Sequence, residues 1–271
     1  MISEFADRYG PWALVAGASE GTGRALAAEL AARGLNLVLL ARRQGPLDAL
    51  ASELRGAHGV ECIAASVDLG APDAVRQVVE AVGDRDIGLY VANAGADPYA
   101  SHFLDRPAED WRALVMRNVV TVMDCCHHFG TAMKARGRGG MLLMGSGACY
   151  GGAAYMAAYS ASKAFEMAFA EALWSELTPH GVDILYYVMS QTDTPAFRQF
   201  LVDTGAPVPA NLAQPDDIAR IALDSLSQGP VQNWGSGDDE RGFAPQSPAD
   251  VRARVAMVTE RSAPLFEGSR T

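Results

Sequence analysis

Short apolar runs alternate with amphipathic stretches along most of the chain, beginning at Trp12. Runs of this length predict buried strands, and the stretches between them have the apolar spacing of helices. Because parallel strands need a crossover connection, this alternation predicts an α/β fold with a doubly wound parallel sheet flanked by helices. We expect one domain over residues 1–271, since no repeat or linker divides the chain. The predicted strands are residues 12–17, 35–41, 60–67, 88–92, 141–145 and 182–188, with a short last strand near Val231.

Two long stretches lie between or after these strands. Prolines and a glycine interrupt residues 193–214, which indicates a mobile lid over the substrate site. Residues 109–136 instead have helical spacing throughout and predict a single buried helix. Its apolar positions are Trp111, Leu114, Val115, Val119, Val122, Met123 and Cys126.

The last part of the chain, residues 235–271, predicts a C-terminal helical tail. Ser247, Pro248 and Asp250 have the spacing of an N-cap, a first-turn proline and a capping-box acid. The acidic run 238–240 before them is interpreted as a solvated loop. We expect the tail helix to dock through an apolar face at Val251, Val255 and Val258.

Composition and charge exclude several classes of protein from the expected function. Hydrophobic residues make up 49% of the chain and charged residues 20%, as in ordinary globular proteins. The net charge of -10 repels phosphate backbones, so nucleic-acid binding is not expected. No apolar stretch reaches the roughly 18 residues of a membrane span, and the first ten residues lack the pattern of a secretory signal. The four cysteines have no framework spacing, and we therefore expect a cytoplasmic protein.

A glycine turn follows the first predicted strand and opens a helical stretch. It contains Gly17, Gly21 and Gly23. Glycines let the backbone approach a pyrophosphate closely, and the free N–H groups of a helix start attract its charge. The turn therefore predicts a dinucleotide site, although many such turns need glycine only for a left-handed residue.

Two arginines follow the second predicted strand, where an acid would bind the ribose 2'-hydroxyl of NAD. Arg42 and Arg43 instead offer forked donors that suit the 2'-phosphate of NADP. Glu20 opposes a phosphate, and the arginines could also serve only to solvate a helix start. We expect NADP(H) as the cofactor.

Tyr159 and Lys163 lie four residues apart, so on a helix their side chains share one face. The chain has two lysines, Lys134 and Lys163, which makes a chance pairing with a tyrosine uncommon. An ammonium about 4 Å from a phenol contributes about 4 kcal/mol at an effective dielectric near 20, equivalent to about three pKa units. A phenol with its pKa lowered in this way can donate a proton to a carbonyl oxygen and take it back in the reverse reaction. Hydride from a nicotinamide would complete the reduction.

These motifs resemble those of the short-chain dehydrogenase/reductase superfamily, and the resemblance extends over essentially the whole chain. The family's serine, thirteen residues before the tyrosine, matches Ser146, and its helix asparagine matches Asn118. The resemblance implies a Rossmann-like fold and an oxidoreductase that acts on CH–OH groups. The shared motifs, in the family's order, are Gly17-x-x-x-Gly21-x-Gly23, Asn93-Ala94-Gly95 and Tyr159-x-x-x-Lys163.

The resemblance also implies a role for each matching residue. Tyr159 would be the acid and base, and Ser146 would hydrogen-bond the reacting oxygen. Lys163 would lower the phenol pKa and hold the nicotinamide ribose, while Asn118 would hold a proton-relay water. Without the family pattern, Ser146 could simply end a strand and Asn118 could be a satisfied core amide. The expected cofactor contacts are Gly17, Ser19, Glu20, Gly21, Thr22, Gly23, Arg42, Arg43, Asp68, Leu69, Asn93, Ala94, Gly95, Tyr159, Lys163, Thr192 and Thr194.

The sequence departs from the family pattern at several positions. Ala16 stands where many members have threonine, and Thr22 where a branched apolar residue is usual. Neither change removes the backbone cradle for phosphate. Met189 and Ser190 stand where the family commonly has Pro-Gly, in the segment that the resemblance implies lies beside the nicotinamide.

Three further features bear on the substrate and on assembly. The opening from Tyr9 to Leu14 and the run from Asn118 to Thr121 are similar to bacterial NADP-dependent 7β-hydroxysteroid dehydrogenases. The opening also resembles the 3-oxoacyl-CoA reductase group, and both analogies imply a bulky apolar ketone or alcohol. The family is usually a homodimer or homotetramer, which implies partner contacts at Cys126, His127 and Phe129.

Other functions remain as alternatives or are disfavoured. A 3-oxoacyl thioester reductase and a non-catalytic NADP-binding sensor stay open. No metal is expected, because the consecutive residues 124–128 of a helix point about 100° apart and cannot converge on one ion. Hydrolysis is disfavoured because Ser146 lacks a Gly-x-Ser-x-Gly elbow.

Overall fold

A computed structural model describes residues 2–99 and 101–267, which contain a seven-stranded parallel sheet. The order across the sheet is third, second, first, fourth, fifth, sixth, seventh strand, and every neighbouring pair is parallel. The predicted strands are confirmed, with ends that differ by at most two residues. In chain order they are β1 (Trp12–Ala16), β2 (Asn36–Ala41), β3 (Cys62–Ser66), β4 (Ile87–Ala92), β5 (Gly139–Ser146), β6 (Val182–Met189) and β7 (Val231–Asn233).

Helices cover both faces of the sheet. In chain order they are α1 (Ile2–Tyr9), α2 (Gly21–Ala32), α3 (Gln44–His58), α4 (Ala74–Val82), α5 (Ala108–Val115), α6 (Thr121–Arg136), α7 (Ala157–Leu177), α8 (Pro195–Thr204), α9 (Pro215–Asp224) and α10 (Pro248–Glu267). One core packs α2, α3 and α9 on the sheet through side chains such as Leu26, Leu47 and Ile218. The other packs α4, α6 and α7 through side chains such as Val78, Phe129 and Ala170. The doubly wound α/β prediction is confirmed.

The strand order places a crevice at the carboxyl ends of β1 and β4. The chain leaves β1 in one direction toward β2 and returns on the other side at β4, so the connections diverge onto opposite faces. Ligands of open parallel sheets bind at such a switch point. The loops after β1, β4, β5 and β6 all open on this edge.

The predicted helix 109–136 is interrupted. A π-helical turn, Met116–Val120, separates α5 from α6. Such a turn carries an extra residue, so the apolar faces before and after it are offset. Val115 and Met123, both predicted to be buried, are each 38% exposed.

The expected partner contacts on α6 also need correction. Cys126 and Phe129 are 3% and 4% exposed and pack against the sheet. They therefore belong to the core, and of the three predicted contacts only His127 is exposed.

The predicted lid segment, residues 193–214, contains α8, and a bridge between Thr192 and Ala213 closes it at its base. Its covering role stays a prediction. In the tail, the N–H of Asp250 donates to Ser247 Oγ and the N–H of Ser247 donates to Asp250 Oδ2, both at 3.1 Å, which confirms the capping box. Val251 and Val255 are buried, whereas the Val258 side chain and residues 268–271 lie outside the described part.

The described helices were compared with what a bilayer crossing needs. Among residues 2–99 and 101–267, no helix combines the length and apolar character required to span a membrane. In the same residues, no group of three His, Cys, Asp or Glu side chains is arranged to hold a metal ion.

Candidate active site

The glycine turn between β1 and α2 depends on close backbone approach. Gly17 and Gly21 have φ angles of 82° and 55°, which favour glycine. Asn93, after β4, donates its side-chain amide to the Gly17 carbonyl at 3.0 Å. A Cβ on Gly23 would overlap that same carbonyl. The turn is therefore held in one shape, with its N–H groups at the start of α2.

The segment after β6 lies against this turn. A Cβ on Gly21 would stand 2.9 Å from the Thr194 methyl carbon. The Thr194 hydroxyl accepts a hydrogen bond from the Phe197 N–H at 3.1 Å and so caps α8. The Thr192 hydroxyl donates to the Ser190 carbonyl at 2.9 Å. The structure thus brings Thr194 to the glycine turn, while both predicted threonine hydroxyls already have partners within the segment.

Arg43 forms an ion pair with Glu20. Its guanidinium donates to the Glu20 carboxylate at 2.6 Å, and the two side chains are 59% and 42% exposed. The carboxylate that the sequence analysis judged unfavourable for phosphate therefore holds one of the two predicted phosphate ligands. Arg42 is exposed beside it.

The next loop contributes Asp68 and Leu69. Asp68 is exposed and accepts the Gly70 N–H at 3.0 Å, whereas Leu69 is buried. The Leu69 carbonyl accepts the Thr121 hydroxyl at 2.8 Å, which joins this loop to α6.

Arg117 is a nearby cation that the sequence analysis missed. Its guanidinium donates to the Ala96 carbonyl at 2.9 Å. Burial and the neighbouring charge of Arg42 lower the pKa of Arg117. A basic residue directly before the predicted Asn118 was the available signal, but its position relative to Arg42 depends on the tertiary fold.

Asn118 joins two elements from within the π-helical turn. It is fully buried, and its amide donates to the Gly95 carbonyl at 3.3 Å and to Ser162 Oγ at 3.0 Å. The Ser162 hydroxyl in turn donates to the Tyr159 carbonyl at 2.7 Å. Asn118 therefore connects the loop after β4 to the first turn of α7.

Tyr159 and Lys163 lie on α7, one turn apart, and Lys163 reaches β5. Lys163 is 4% exposed, and its ammonium donates to the Met144 carbonyl at 3.1 Å. A Cβ on Gly95 would stand 2.9 Å from Lys163 Nζ and 3.4 Å from Asn118 Oδ1. Glycine at position 95 thus allows both polar groups to lie against the loop after β4.

Glu166 is a second functional candidate that the sequence analysis missed. Both of its carboxylate oxygens accept from Lys163 Nζ, at 3.0 and 2.9 Å. Burial disfavours the charged Lys163, but the attraction of Glu166, together with that of Tyr159, outweighs it and raises the pKa of Lys163. The sequence analysis considered the attraction between the Lys163 ammonium and the Tyr159 phenol without a counter-ion. The structure supplies a counter-ion, Glu166, on the same helix.

Ser146 ends β5 beside a buried tyrosine. Its hydroxyl accepts the Ala148 N–H at 3.3 Å, and its own N–H donates to the Tyr186 hydroxyl at 3.4 Å. The Tyr186 hydroxyl donates to the Lys163 carbonyl at 3.1 Å. A Cβ on Gly145 would overlap the Tyr186 ring, so glycine there makes room for this link between β5, β6 and α7.

Aromatic side chains line the outer edge of the crevice. His102 and Tyr155 have ring centroids 4.1 Å apart and join the loop after β4 to the loop after β5. Tyr155 has a φ of 68°, a conformation that costs a non-glycine residue about 1 kcal/mol or more. Phe103 and Tyr155 are each 52% exposed.

The elements that carry the predicted residues converge at the carboxyl edge of the sheet. The glycine turn, the loop after β4, the end of β5 and the first turns of α7 meet there through hydrogen bonds. A family model described as short chain dehydrogenase matches residues 11–203. The chain belongs to the short-chain dehydrogenase family. The predicted family is thereby confirmed, and with it an oxidoreductase that acts on CH–OH groups with a nicotinamide cofactor.

Individual short-chain dehydrogenases are similar to most of this chain in sequence or in fold. A 7beta-hydroxysteroid dehydrogenase from Collinsella aerofaciens is 33% identical over 217 residues, covering 80% of this chain and 79% of that protein. A structure from a study of 7beta-hydroxysteroid dehydrogenase stereoselectivity has a TM-score of 0.79 at 26% identity, covering 93% of this chain and 99% of that one. A short-chain dehydrogenase from Sphingobium yanoikuyae in complex with NADPH has a TM-score of 0.76 at 26% identity, covering 97% of each chain.

Proposed function

We propose that this protein is an NADP(H)-dependent enzyme that interconverts a secondary alcohol and a ketone on a bulky apolar substrate, with a hydroxysteroid as the first candidate. One observation carries the proposal. Lys163 Nζ and Asn118 Oδ1 both lie against Gly95 in the loop after β4, and Lys163 is on the face of α7 that also carries Tyr159. Family membership supplies the reaction class.

The residues present fit an NADP(H) molecule. Gly17, Gly21 and Gly23 form a tight turn in which an added Cβ would collide with protein atoms at each position, so the backbone N–H groups at the start of α2 stay accessible to a phosphate. Arg42 and Arg43 provide guanidinium groups at the end of β2, which favour a 2'-phosphate over a bare hydroxyl. The likeness to an NADPH-bound short-chain dehydrogenase supports the same choice. When bound, the nicotinamide would supply or take up the hydride.

The chain's own side chains would handle the proton. Tyr159 Oη would donate a proton to the ketone oxygen during reduction and accept it during oxidation. Ser146 Oγ would hydrogen-bond the same oxygen and hold it in place. Lys163 would hold the nicotinamide ribose, and its ammonium would favour the phenolate. Both N–H groups of Asn118 have partners and Arg117 Nε donates to its Oδ1 at 3.4 Å, so the proposed relay water would share Oδ1 with Arg117.

The surface around the crevice supports an apolar substrate. Phe103 follows β4, Tyr155 follows β5 and Phe200 lies in α8 after β6, and all three are exposed. These strands are neighbours in the sheet, so their following segments surround the same opening. Exposed apolar side chains grouped around a crevice are typical of a binding site for an apolar ligand. The 33% identity to a 7beta-hydroxysteroid dehydrogenase makes a steroid the first candidate.

A substrate panel tests this proposal. NADPH and NADH oxidation would be measured with ketosteroids, 3-oxoacyl thioesters and small ketones. We expect turnover with ketosteroids and NADPH, and much slower turnover with NADH. If thioesters are turned over preferentially, the assigned substrate changes from a hydroxysteroid to a 3-oxoacyl thioester. If NADPH binds but no compound is turned over, the non-catalytic sensor is favoured.

A Tyr159→Phe variant tests the assigned chemistry. Because the change removes one hydroxyl, NADPH binding followed by nucleotide fluorescence should remain near the wild-type value. Turnover should fall at least about a thousandfold, the order expected when a general acid is lost. Turnover at the wild-type rate would reject Tyr159 as the acid.

The oligomeric state and the cellular location of this protein stay predictions. The homodimer or homotetramer would be measured by light scattering coupled to size exclusion. The cytoplasmic location would be measured by fractionation of the source cells.

A further inference from the structure

A buried carboxylate stands behind Lys163, on the same helix. Glu166 and Lys163 are 2% and 4% exposed, so both charges lie inside the protein. Lys163 Nζ donates to Glu166 Oε1 at 3.0 Å, to Glu166 Oε2 at 2.9 Å and to the Met144 carbonyl at 3.1 Å. Contacts within the chain itself therefore fix the ammonium between α7 and β5.

Burial alone would leave Lys163 neutral. A charged group without water or a counter-ion is costly, and a buried lysine usually responds by losing its proton. Met144 offers a carbonyl dipole, whereas Glu166 offers a full negative charge at contact distance. The counter-charge on Glu166 is thus what allows a charged ammonium at this depth.

The other groups around the pair do not provide a substitute charge. Burial raises the pKa of each thiol and phenol that faces Glu166, so these groups stay neutral at ordinary pH; they are Tyr90, Cys126, Cys149 and Tyr186. On the other side of Lys163, Arg117 repels its charge and Tyr159 is the proposed acid. Within the described residues that face the pair, Glu166 is thus the group that carries the compensating charge.

We propose that Glu166 is a positioning residue that keeps Lys163 protonated and fixed beside Tyr159. This inference rests on the proposed function, in which a charged Lys163 is needed. Glu166 touches neither the proposed substrate nor the reacting atoms, and acts through Lys163.

The composition of the chain allows a direct measurement on the unliganded protein. Lys134 and Lys163 are its two lysines, and Lys134 is exposed on α6. Lysine labelled with ¹³C at Cε should therefore give two NMR signals, whose shifts report the protonation of each amine. Lys134 gives the second signal, and its replacement by arginine assigns the two.

In the wild-type protein, we expect the Lys163 signal to titrate above the ordinary lysine pKa of about 10.4, or not at all while the fold persists. In Glu166→Gln, which keeps the side-chain shape, it should titrate at least about one pH unit below wild type. In Glu166→Asp, which keeps the charge, most of that shift should be reversed. A wild-type Lys163 that titrates below the ordinary lysine pKa of about 10.4, or a Glu166→Gln value within about half a unit of wild type, overturns the proposal.

Glu171→Gln provides a matched control. Glu171 is also buried on α7, but its carboxylate accepts from Arg254 at 2.6 Å instead of from Lys163. We expect this variant to leave the Lys163 titration at the wild-type value. If Glu166→Gln does not fold, the wild-type titration and the Glu166→Asp variant still decide the question.

Kinetics supply a second readout. During ketone reduction, both Tyr159 and Lys163 must be protonated, so loss of the counter-charge should move the alkaline limb of kcat/KM to lower pH in Glu166→Gln. An unchanged pH profile in a variant whose Lys163 titration has shifted would reject the positioning role. Failure to find any substrate would reject the proposed function, whereas the NMR titration would still report on the pair.

Discussion

The amide of Asn118 donates to the hydroxyl of Ser162 at 3.0 Å, and this hydrogen bond joins the π-helical turn to the helix that carries Tyr159. The two residues are 44 positions apart in the chain and both are buried. The bond sets the distance between the loop after β4 and the first turn of α7. It therefore contributes both to stability and to the geometry of the proposed active site.

Replacing Asn118 by alanine should lower both stability and activity. The change leaves the Gly95 carbonyl and Ser162 Oγ without a buried donor, which costs about 1–3 kcal/mol. We expect a corresponding loss in the free energy of unfolding, measured with urea, together with a lower kcat. Ser162→Ala removes one of these bonds and should cost about 1 kcal/mol. An Asn118→Ala protein with wild-type stability and kcat would contradict this interpretation.

The ion pair between Glu20 and Arg43 should limit NADPH affinity. Glu20→Gln releases the guanidinium and removes a carboxylate from the proposed 2'-phosphate site. Since an exposed ion pair contributes about 0.2–1 kcal/mol, we expect NADPH to bind up to about fivefold tighter, with NADH little changed. The gain should shrink as salt is added, because the groups are exposed.

A charge-matched control separates this effect from net charge. Glu53→Gln also removes one carboxylate from an exposed ion pair, with Arg24 at 2.6 Å, but it lies on α3. NADPH titrations of the two variants should differ. Equal gains would assign the effect to the overall field, and weaker binding in Glu20→Gln would show that Glu20 helps to hold Arg43 in place.

Two glycines should respond in opposite ways to alanine. In Gly23→Ala the new methyl group would overlap the Gly17 carbonyl and crowd the Asn93 amide, so the turn must deform. We expect little folded protein and no nucleotide binding. Gly56 lies in α3 and has nothing within 4 Å of an added Cβ, so Gly56→Ala should stabilise the helix by about 0.5–1 kcal/mol. Thermal unfolding measures both, and a neutral Gly23→Ala would refute the cradle.

The thiols should be inert in the folded protein and should weaken it at alkaline pH. All four cysteines are free and buried. Burial raises the pKa of Cys149 to about 11 and of Cys125 to about 12. At pH 8 we therefore expect the disulfide reagent DTNB to react with the thiols after unfolding and hardly before.

The sign of the stability effect follows from these raised values. The unfolded chain ionises its thiols near pH 8.5, whereas the folded protein keeps Cys125 and Cys149 protonated to a higher pH. Their contribution to stability is therefore complete below the unfolded pKa and is lost as pH rises toward 11 and 12. Urea unfolding at pH 8, 9 and 10 should show a falling free energy, and a rise over this range would contradict the assignment.

The sequence by itself determined the strands, the glycine turn and the shared face of Tyr159 and Lys163. These features depend on residues that are neighbours in the chain: alternating apolar runs, a turn between a strand and a helix, and a spacing of four on a helix. The capping box of Ser247 and Asp250 was predictable for the same reason. In each case the physical constraint acts within a few residues.

Only the tertiary structure decided which partners these residues have. Spacing places Glu166 on the Lys163 face, but burial of that face against β5 decides that the carboxylate meets the ammonium and not water. The π-helical turn at Asn118 and the contact of Gly21 with Thr194 likewise join segments far apart in the chain. Packing between distant elements sets these distances, and no local pattern encodes them.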